Sequence, residues 1–384
     1  MVGPKQWHVM YRNEVVPVRD GIQTLEELRY EVANAMQLPH SRIHLWSAGV
    51  MPGEPLPLEM VKVGILKLPT VLIGSSNVFT QQGQSKGRLE LWDLGEMACK
   101  MKYPEVGEVV TSLSMDLSGQ CAAAGLQSGA LTLWDLDKAQ AQCLAARRAH
   151  EGPVTALHFN YTLGKVVTGG GDVFHDCTVK IWETVWDVQP VAIQWKATLQ
   201  GHTEAIFAIV GELSVSLAVS ASRDTTLRVW DVIQETCHGI LTGHQGTVHA
   251  VQVDASRWKA ISASQDGTLR IWDLQRCVCQ HILVAPGQDT LIFSCLAASF
   301  EHQRIIAGDH RGGLHLWDTN TREHLGVLLS KIPVSGVAAD FTAQRAVAIV
   351  ASDVCLVDLA TWTMVSTVNV SNRPGSHVVM DWGM

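Results

Sequence analysis

His244, Ser262 and Asp266 fall within one short stretch of the chain. These are the side chains of an acyl-transfer site, with serine as nucleophile, histidine as general base and aspartate orienting the imidazole. The same three types also satisfy one another's hydrogen bonds when they fasten a repeated structural unit. Catalysis would need the serine exposed beside an oxyanion hole, on a strained turn. No G-x-S-x-G is present, and Ser262 stands in "SASQDGTLRIWDL", four residues before Asp266 and ten before Trp272. The set then recurs at the same spacing as His202, Ser220, Asp224 and Trp230, and again as His150, Thr168 and Trp182. In that third copy either Asp172 or Asp176 supplies the acid, because "VFHD" reads as an insertion. A catalytic triad has no reason to occur in copies, so the expectation is a structural clasp and no enzyme. Walker A, HExxH and G-x-G-x-x-G motifs are missing, and "TGGGD" reads as a turn after a strand.

The elements that position these residues repeat as well. Trp92, Trp134, Trp182, Trp230, Trp272 and Trp317, with Val357 in the seventh place, end segments such as "ALTLWDL", "TTLRVWDV" and "GGLHLWDT". Their spacing of 40 to 48 residues is the period of a four-stranded propeller blade. In the fifth unit "TVHAVQV", "KAISAS", "TLRIWD" and "CVCQHIL" read as four short strands separated by turns. Such a sheet has two apolar faces and buries them by stacking between neighbours. The first unit lacks one strand, and "SHVVMDWGM" at the C-terminus supplies it. Val378 to Trp382 are therefore expected to pair into the first blade and leave no open edge.

Composition agrees with a folded chain: 384 residues, 47% hydrophobic and 17% charged. A net charge of −8 gives no general attraction to nucleic acid or to an anionic membrane. The nine cysteines form no CxxC pair, and Cys277 with Cys279 lacks a second pair for zinc, so reduced thiols are expected. The N-terminus has no signal-like apolar core, no membrane span is read, and no cofactor or metal is expected.

From about Ser75 to the C-terminus these segments resemble the WD-repeat family. The resemblance implies a mainly β fold, a seven-bladed β-propeller closed by a C-terminal strand, serving as a platform for other proteins. It also implies that the recurrent His, Ser or Thr, Asp and Trp form a hydrogen-bonded structural network. Partners in this family meet the face carrying the loops before the first strand and between the second and third strands. The positions that map there are Ala205, Phe207 and Arg223 in blade 4, and Thr247, His249 and Gln265 in blade 5. Pro153, Thr155 and His175 map there in blade 3, His310 in blade 6 and Gln127 in blade 2. The three histidines sit on different blades with no carboxylate or cysteine at short spacing, which argues against a metal.

Residues 1–74 break the repeat. "QWHVMY" and "VVPVR" read as a hairpin, "TLEELRYEVANAM" as a helix with a Thr24–Glu27 capping box, and "RIHLWSAG" and "LPTVLIG" as strands. This order resembles ubiquitin and implies a small α+β β-grasp domain ahead of the propeller at 75–384. There is no terminal Gly-Gly for conjugation. Trp46 falls where ubiquitin presents its apolar binding patch, with Leu72 beside it. The expected whole is an intracellular scaffold or adaptor, cytoplasmic or nuclear and monomeric within a larger complex. Its partners would be proteins, ubiquitin-pathway components among them. The alternative is a structural subunit of a ribonucleoprotein or cytoskeletal assembly.

Overall fold

Alternating apolar and polar residues, interrupted by Gly, Asp and Asn turns, dictate short strands. The computed structural model describes residues 9–11, 14–16, 43–46, 62–65 and 70–79, and then 85–381 apart from 94–97, 104–106, 117–119, 137–142, 172–175, 187–189, 287–290, 330–331, 343, 351–352 and 370–375. Between Thr70 and Asp381 the strands form seven four-stranded antiparallel sheets, which fit a seven-bladed propeller. Six blades are consecutive in sequence. The seventh sheet, blade 1, places Ser376–Asp381 innermost, followed by Thr70–Phe79, Ser85–Asp93 and Ala98–Lys102.

The closing strand pairs as its sequence suggested, with Val378 opposite Ile73 and Val379 opposite Leu72. Innermost strands touch in sequence from Val110–Asp116 through blades 3 to 7, then Ser376–Asp381, which returns to Val110–Asp116. The ring is closed. Trp382 lies outside the described residues.

Apolar clusters fill the space between successive blades. Val219, Leu227 and Val229 of blade 4 pack with Val251, Ala260 and Trp272 of blade 5. Ile261, Leu269 and Ile271 of blade 5 pack with Phe293, Ile305 and Trp317 of blade 6. Each large side chain buried this way contributes about 1.5–3 kcal/mol, so the stacking itself holds the ring. Every third strand shifts register at its anchor, from Leu91/Trp92 through Ile271/Trp272 to Leu356/Val357. A second bulge interrupts the innermost strand of blades 2 to 7, as between Ile206 and Ala208.

Residues Met1–Pro69 with Met384 form one compact unit, and Thr70–Gly383 the other. In the first, Val9–Tyr11 pairs antiparallel with Glu14–Val16 and parallel with Lys62–Ile65, which pairs antiparallel with Ile43–Trp46. Two expectations are corrected here. "LPTVLIG" does not finish the N-terminal sheet; Lys62–Ile65 takes that place. Leu72 therefore stands in a blade-1 strand, paired on both edges, and not in the sheet that holds Trp46. The helix expected over "TLEELRYEVANAM" lies outside the described residues. Among the described residues no helix is long and apolar enough to cross a membrane.

Candidate functional site

The recurrent polar residues converge as a chain of hydrogen bonds inside blades 3, 4 and 5. In blade 5, His244 Nδ1 lies 2.8 Å from Asp266 Oδ2, and His244 Nε2 lies 2.7 Å from Ser262 Oγ. The Trp272 indole N–H donates to Ser262 Oγ at 2.8 Å. Blade 4 repeats this through His202, Asp224, Ser220 and Trp230 at 2.7, 2.7 and 2.8 Å. Blade 3 uses His150, Asp176, Thr168 and Trp182 at 2.8, 2.8 and 2.9 Å. Asp176 is thus the acid in that copy; Asp172 and His175 lie outside the described residues.

The Asp–His–Ser connectivity is that of a triad, but its surroundings decide its use. Ser262 and Ser220 are fully buried, and each hydroxyl is occupied on both sides. The carboxylate accepts, so the His proton sits on Nδ1, Nε2 accepts the hydroxyl hydrogen, and the hydroxyl oxygen accepts from the indole. Neither hydroxyl reaches solvent. These sets fasten the sheet.

A fifth member was missed in the sequence. Thr178, Thr226 and Thr268 donate Oγ1–H to the second carboxylate oxygen at 2.6, 2.6 and 2.7 Å. The signal was available: each lies two residues after its Asp. Burial alone would raise the carboxyl pKa of Asp176, Asp224 and Asp266. The hydrogen bonds from His and Thr outweigh it and hold all three well below the usual range. His244 is held below the ordinary imidazole value, chiefly by burial, against the pull of Asp266.

The loop-bearing face is organised by the inner-strand bulges. The bulged positions are Thr111, Thr155, Phe207, His249, Ser294 and Ser335 in blades 2 to 7. A bulge re-aims the extra residue. In blades 2, 3 and 6 its hydroxyl donates to the innermost strand of the following blade: Thr111 to Val154 O at 2.7 Å, Thr155 to Ile206 O, and Ser294 to Val334 O at 2.6 Å. Blades 4 and 5 differ. Phe207 and His249 meet edge to face, ring centroids 5.3 Å apart. Phe207 remains 39% exposed, and desolvation holds the His249 imidazole below its ordinary range.

The remaining face residues separate into two groups. Arg223, Gln265 and Gln127 are exposed at the turn before the third strand, and their backbone N–H groups donate to Ala205, Thr247 and Val109. Arg223 Nε lies 3.4 Å from Glu204. Ala205, by contrast, is buried. Thr155 spends its hydroxyl on blade 4, and His310 Nδ1 accepts the Ile292 N–H at 3.1 Å, so both turn into the framework. In blade 3 the equivalent turn residue is Gly171, whose N–H donates to Pro153 O. Trp46 occupies a strand position opposite Lys62.

Blade 6 fastens differently. Ala307 stands where Ser262 stands in blade 5. Asp309 Oδ2 lies 2.8 Å from His315 Nε2, and His315 Nδ1 lies 3.0 Å from His324 Nε2. The buried Trp317 Nε1 has no hydrogen-bond partner among the described residues. Among the described residues no group of His, Cys, Asp and Glu is placed to hold a metal ion. Burial pushes the Cys121 and Cys295 thiols up to about 12.

The family model described as WD domain, G-beta repeat matches residues 141–183, 194–231 and 235–273. These are WD40 repeats. Each matched repeat runs from the outermost strand of one blade through the third strand of the next, so it spans the seam and ends just past the anchoring Trp. Several known proteins are similar to part of the chain. Mouse (Mus musculus) "Transducin beta-like protein 3" is 25% identical over 164 residues, 40% of this chain and 20% of the relative. "WD repeat-containing protein 97" of Homo sapiens is 46% identical over 86 residues, 22% of this chain and 5% of its own length. "Autophagy-related protein 16" of Arabidopsis thaliana is 30% identical over 134 residues, 25% of each chain. The matched part thus spans a quarter or less of these relatives' length. WD40 propellers are generally non-enzymatic, in keeping with the closed clasps of blades 3 to 5.

Proposed function

We propose that the chain is a protein-interaction scaffold, and that it holds a partner on the mouth of blades 4 and 5. One observation carries this. The bulge position that stitches neighbouring blades in blades 2, 3 and 6 is given to Phe207 and His249 in blades 4 and 5, leaving an aromatic pair at the surface. Exposed Arg223 and Gln265 flank it, with Glu204 beside Arg223. Aromatic and Arg side chains dominate binding energy at interfaces, and a mixed-charge rim supplies specificity. Affinity purification of the full chain, compared with Phe207→Ala and Arg223→Glu, tests it. A common set of proteins lost from both variants, at unchanged thermal stability, is expected; retention of the whole set overturns the assignment.

We further propose that residues 1–69 form a ubiquitin-like module that links the scaffold to ubiquitin-handling machinery. Its support is the strand order, in which the first strand lies parallel beside Lys62–Ile65 with its hairpin partner on the other side. Parallel neighbours require a long crossover, the place a β-grasp fold gives to its helix. Loss of ubiquitin-receptor binding in full-length Trp46→Ala is the expected result. Equal binding by both chains would remove that role from Trp46.

A further inference from the structure

At the seam between blades 5 and 6 the packing opens into a cavity of about 270 Å³, far more than the roughly 10–15 Å³ that one water needs. Its apolar lining is Ile271 and Phe300. Its charged lining is Arg257, Lys259, Arg322 and the imidazole of His281, and no lining residue is acidic. Thr319, Asn320 and Gln303 add hydrogen-bond donors. Arg257 is tied to Asp254 at 2.6 Å, whereas Lys259 and Arg322 have no acidic partner among the described residues. Partial desolvation, then the charges of Arg322 and Lys259, hold the His281 imidazole below its ordinary range.

The repeat supplies its own controls. At the blade 4–blade 5 seam the places of Lys259, His281 and Arg322 are taken by Leu217, Gly239 and Cys277. That seam is filled: Leu217 is in the core, Cys277 packs against it, and a Cβ at Gly239 would collide with Cys277 Sγ. At the blade 6–blade 7 seam the corresponding residues are Arg304, Gly326 and Trp362. There Arg304 is neutralised by Asp318, and a Cβ at Gly326 would already sit 3.4 Å from the Trp362 ring. Arg322, Cys277 and Trp362 share the same left-handed turn position, with φ of 65°, 54° and 51°, which confirms their equivalence. Stacking two blades therefore needs no cations here. In a chain of net charge −8, the 5–6 seam alone of these three replaces packing with unneutralised positive charge around a cavity.

We propose that this seam binds a phosphate monoester, with Lys259 and Arg322 neutralising the dianion and the Thr319, Asn320 and Gln303 side chains donating to its oxygens. A monoester carries close to two negative charges near neutral pH and three strong acceptor oxygens, matching two free cations and donors from separate loops. The apolar lining accommodates the carbon skeleton that carries the phosphate. The ester is either a free phosphorylated metabolite or a phosphorylated side chain of a protein.

Calorimetric titration of the full chain with glucose 6-phosphate, capped phosphoserine, capped glutamate and inorganic phosphate tests this. At least one monoester should bind saturably with a Kd below about 1 mM. Arg322→Gln and Lys259→Gln should each weaken it at least about tenfold, and Lys196→Gln, exposed on the outermost strand of blade 3, should leave it unchanged. Tighter binding of the sugar phosphate identifies a free metabolite, and tighter binding of the capped phosphoserine identifies a protein side chain. Arg322 is exposed, so Arg322→Gln decides alone if Lys259→Gln does not fold. No saturable binding by either monoester, equal affinity in Arg322→Gln, or capped glutamate binding as tightly as the monoesters overturns the proposal.

Discussion

Blades 5 and 6 have strands of six or seven residues, the same two bulges and an anchoring Trp buried to 0% exposure. Their polar interiors differ. Blade 5 closes a circuit in which Asp266, His244, Ser262 and the Trp272 indole each find a partner. Blade 6 has Ala307 in place of the serine, moves its histidine onto the third strand as His315, and leaves Trp317 Nε1 alone. Both blades bury their anchoring Trp in an inter-blade apolar cluster. Apolar burial therefore builds the ring, while the clasp adds a local reinforcement that individual blades can lose. Blade 2 is intermediate: it too has Ala124 where blade 5 has Ser262, but Thr132 Oγ1 accepts the Trp134 indole at 2.9 Å.

The largest expected effect lies in what the two blades share. Trp272→Ala and Trp317→Ala should each cost about 3–5 kcal/mol in urea unfolding, because each leaves a large cavity between blades. If only the blade 5 variant is destabilised, the stacking is not common to both. Smaller and more discriminating is replacement by Phe, which keeps the ring and removes the N–H. Trp272→Phe loses a made hydrogen bond, about 1 kcal/mol beyond the change in packing. Trp317→Phe removes an orphaned buried donor and should be neutral or stabilising by comparison. Equal penalties would erase the distinction between the blades.

Acid titration sharpens the comparison further. His244 has a lowered folded-state pKa, so the unfolded chain binds protons more readily. Its contribution is complete above the unfolded value, about 6.5, and falls as pH drops below it. Asp266, Asp224 and Asp176 also have lowered values. Their contribution is complete above about 3.9 and is lost as pH falls toward the folded-state values. Unfolding free energy should thus decline in two stages, and Asp266→Asn should shrink the lower one. A profile flat from pH 7 to 3 would contradict the clasp energetics. The smallest expected stability effect is at the surface: Phe207→Ala should change unfolding free energy by about 1 kcal/mol or less, since the ring is more than a third exposed.

The ring was legible because Trp-Asp pairs, turn residues and alternating strands repeat in one register, and the C-terminal strand had only one sheet left to complete. The clasps followed from that periodicity. Blade 6 hid its substitute because His315 lies where blades 3 to 5 carry Lys180, Arg228 and Arg270, a position that no spacing rule marks. The Phe207–His249 contact is an inter-blade distance, which the linear sequence does not contain. Leu72 was misplaced because an apolar run such as "LPTVLIG" suits the edge of either unit, and only pairing partners distinguish them.

Ser262→Ala measures the central claim most directly. If the Asp–His–Ser set is a fastening, the substitution orphans the Trp272 indole and His244 Nε2, and urea unfolding should show a loss of about 2–4 kcal/mol. Unchanged stability would contradict the claim and return that serine to the possibility of chemistry.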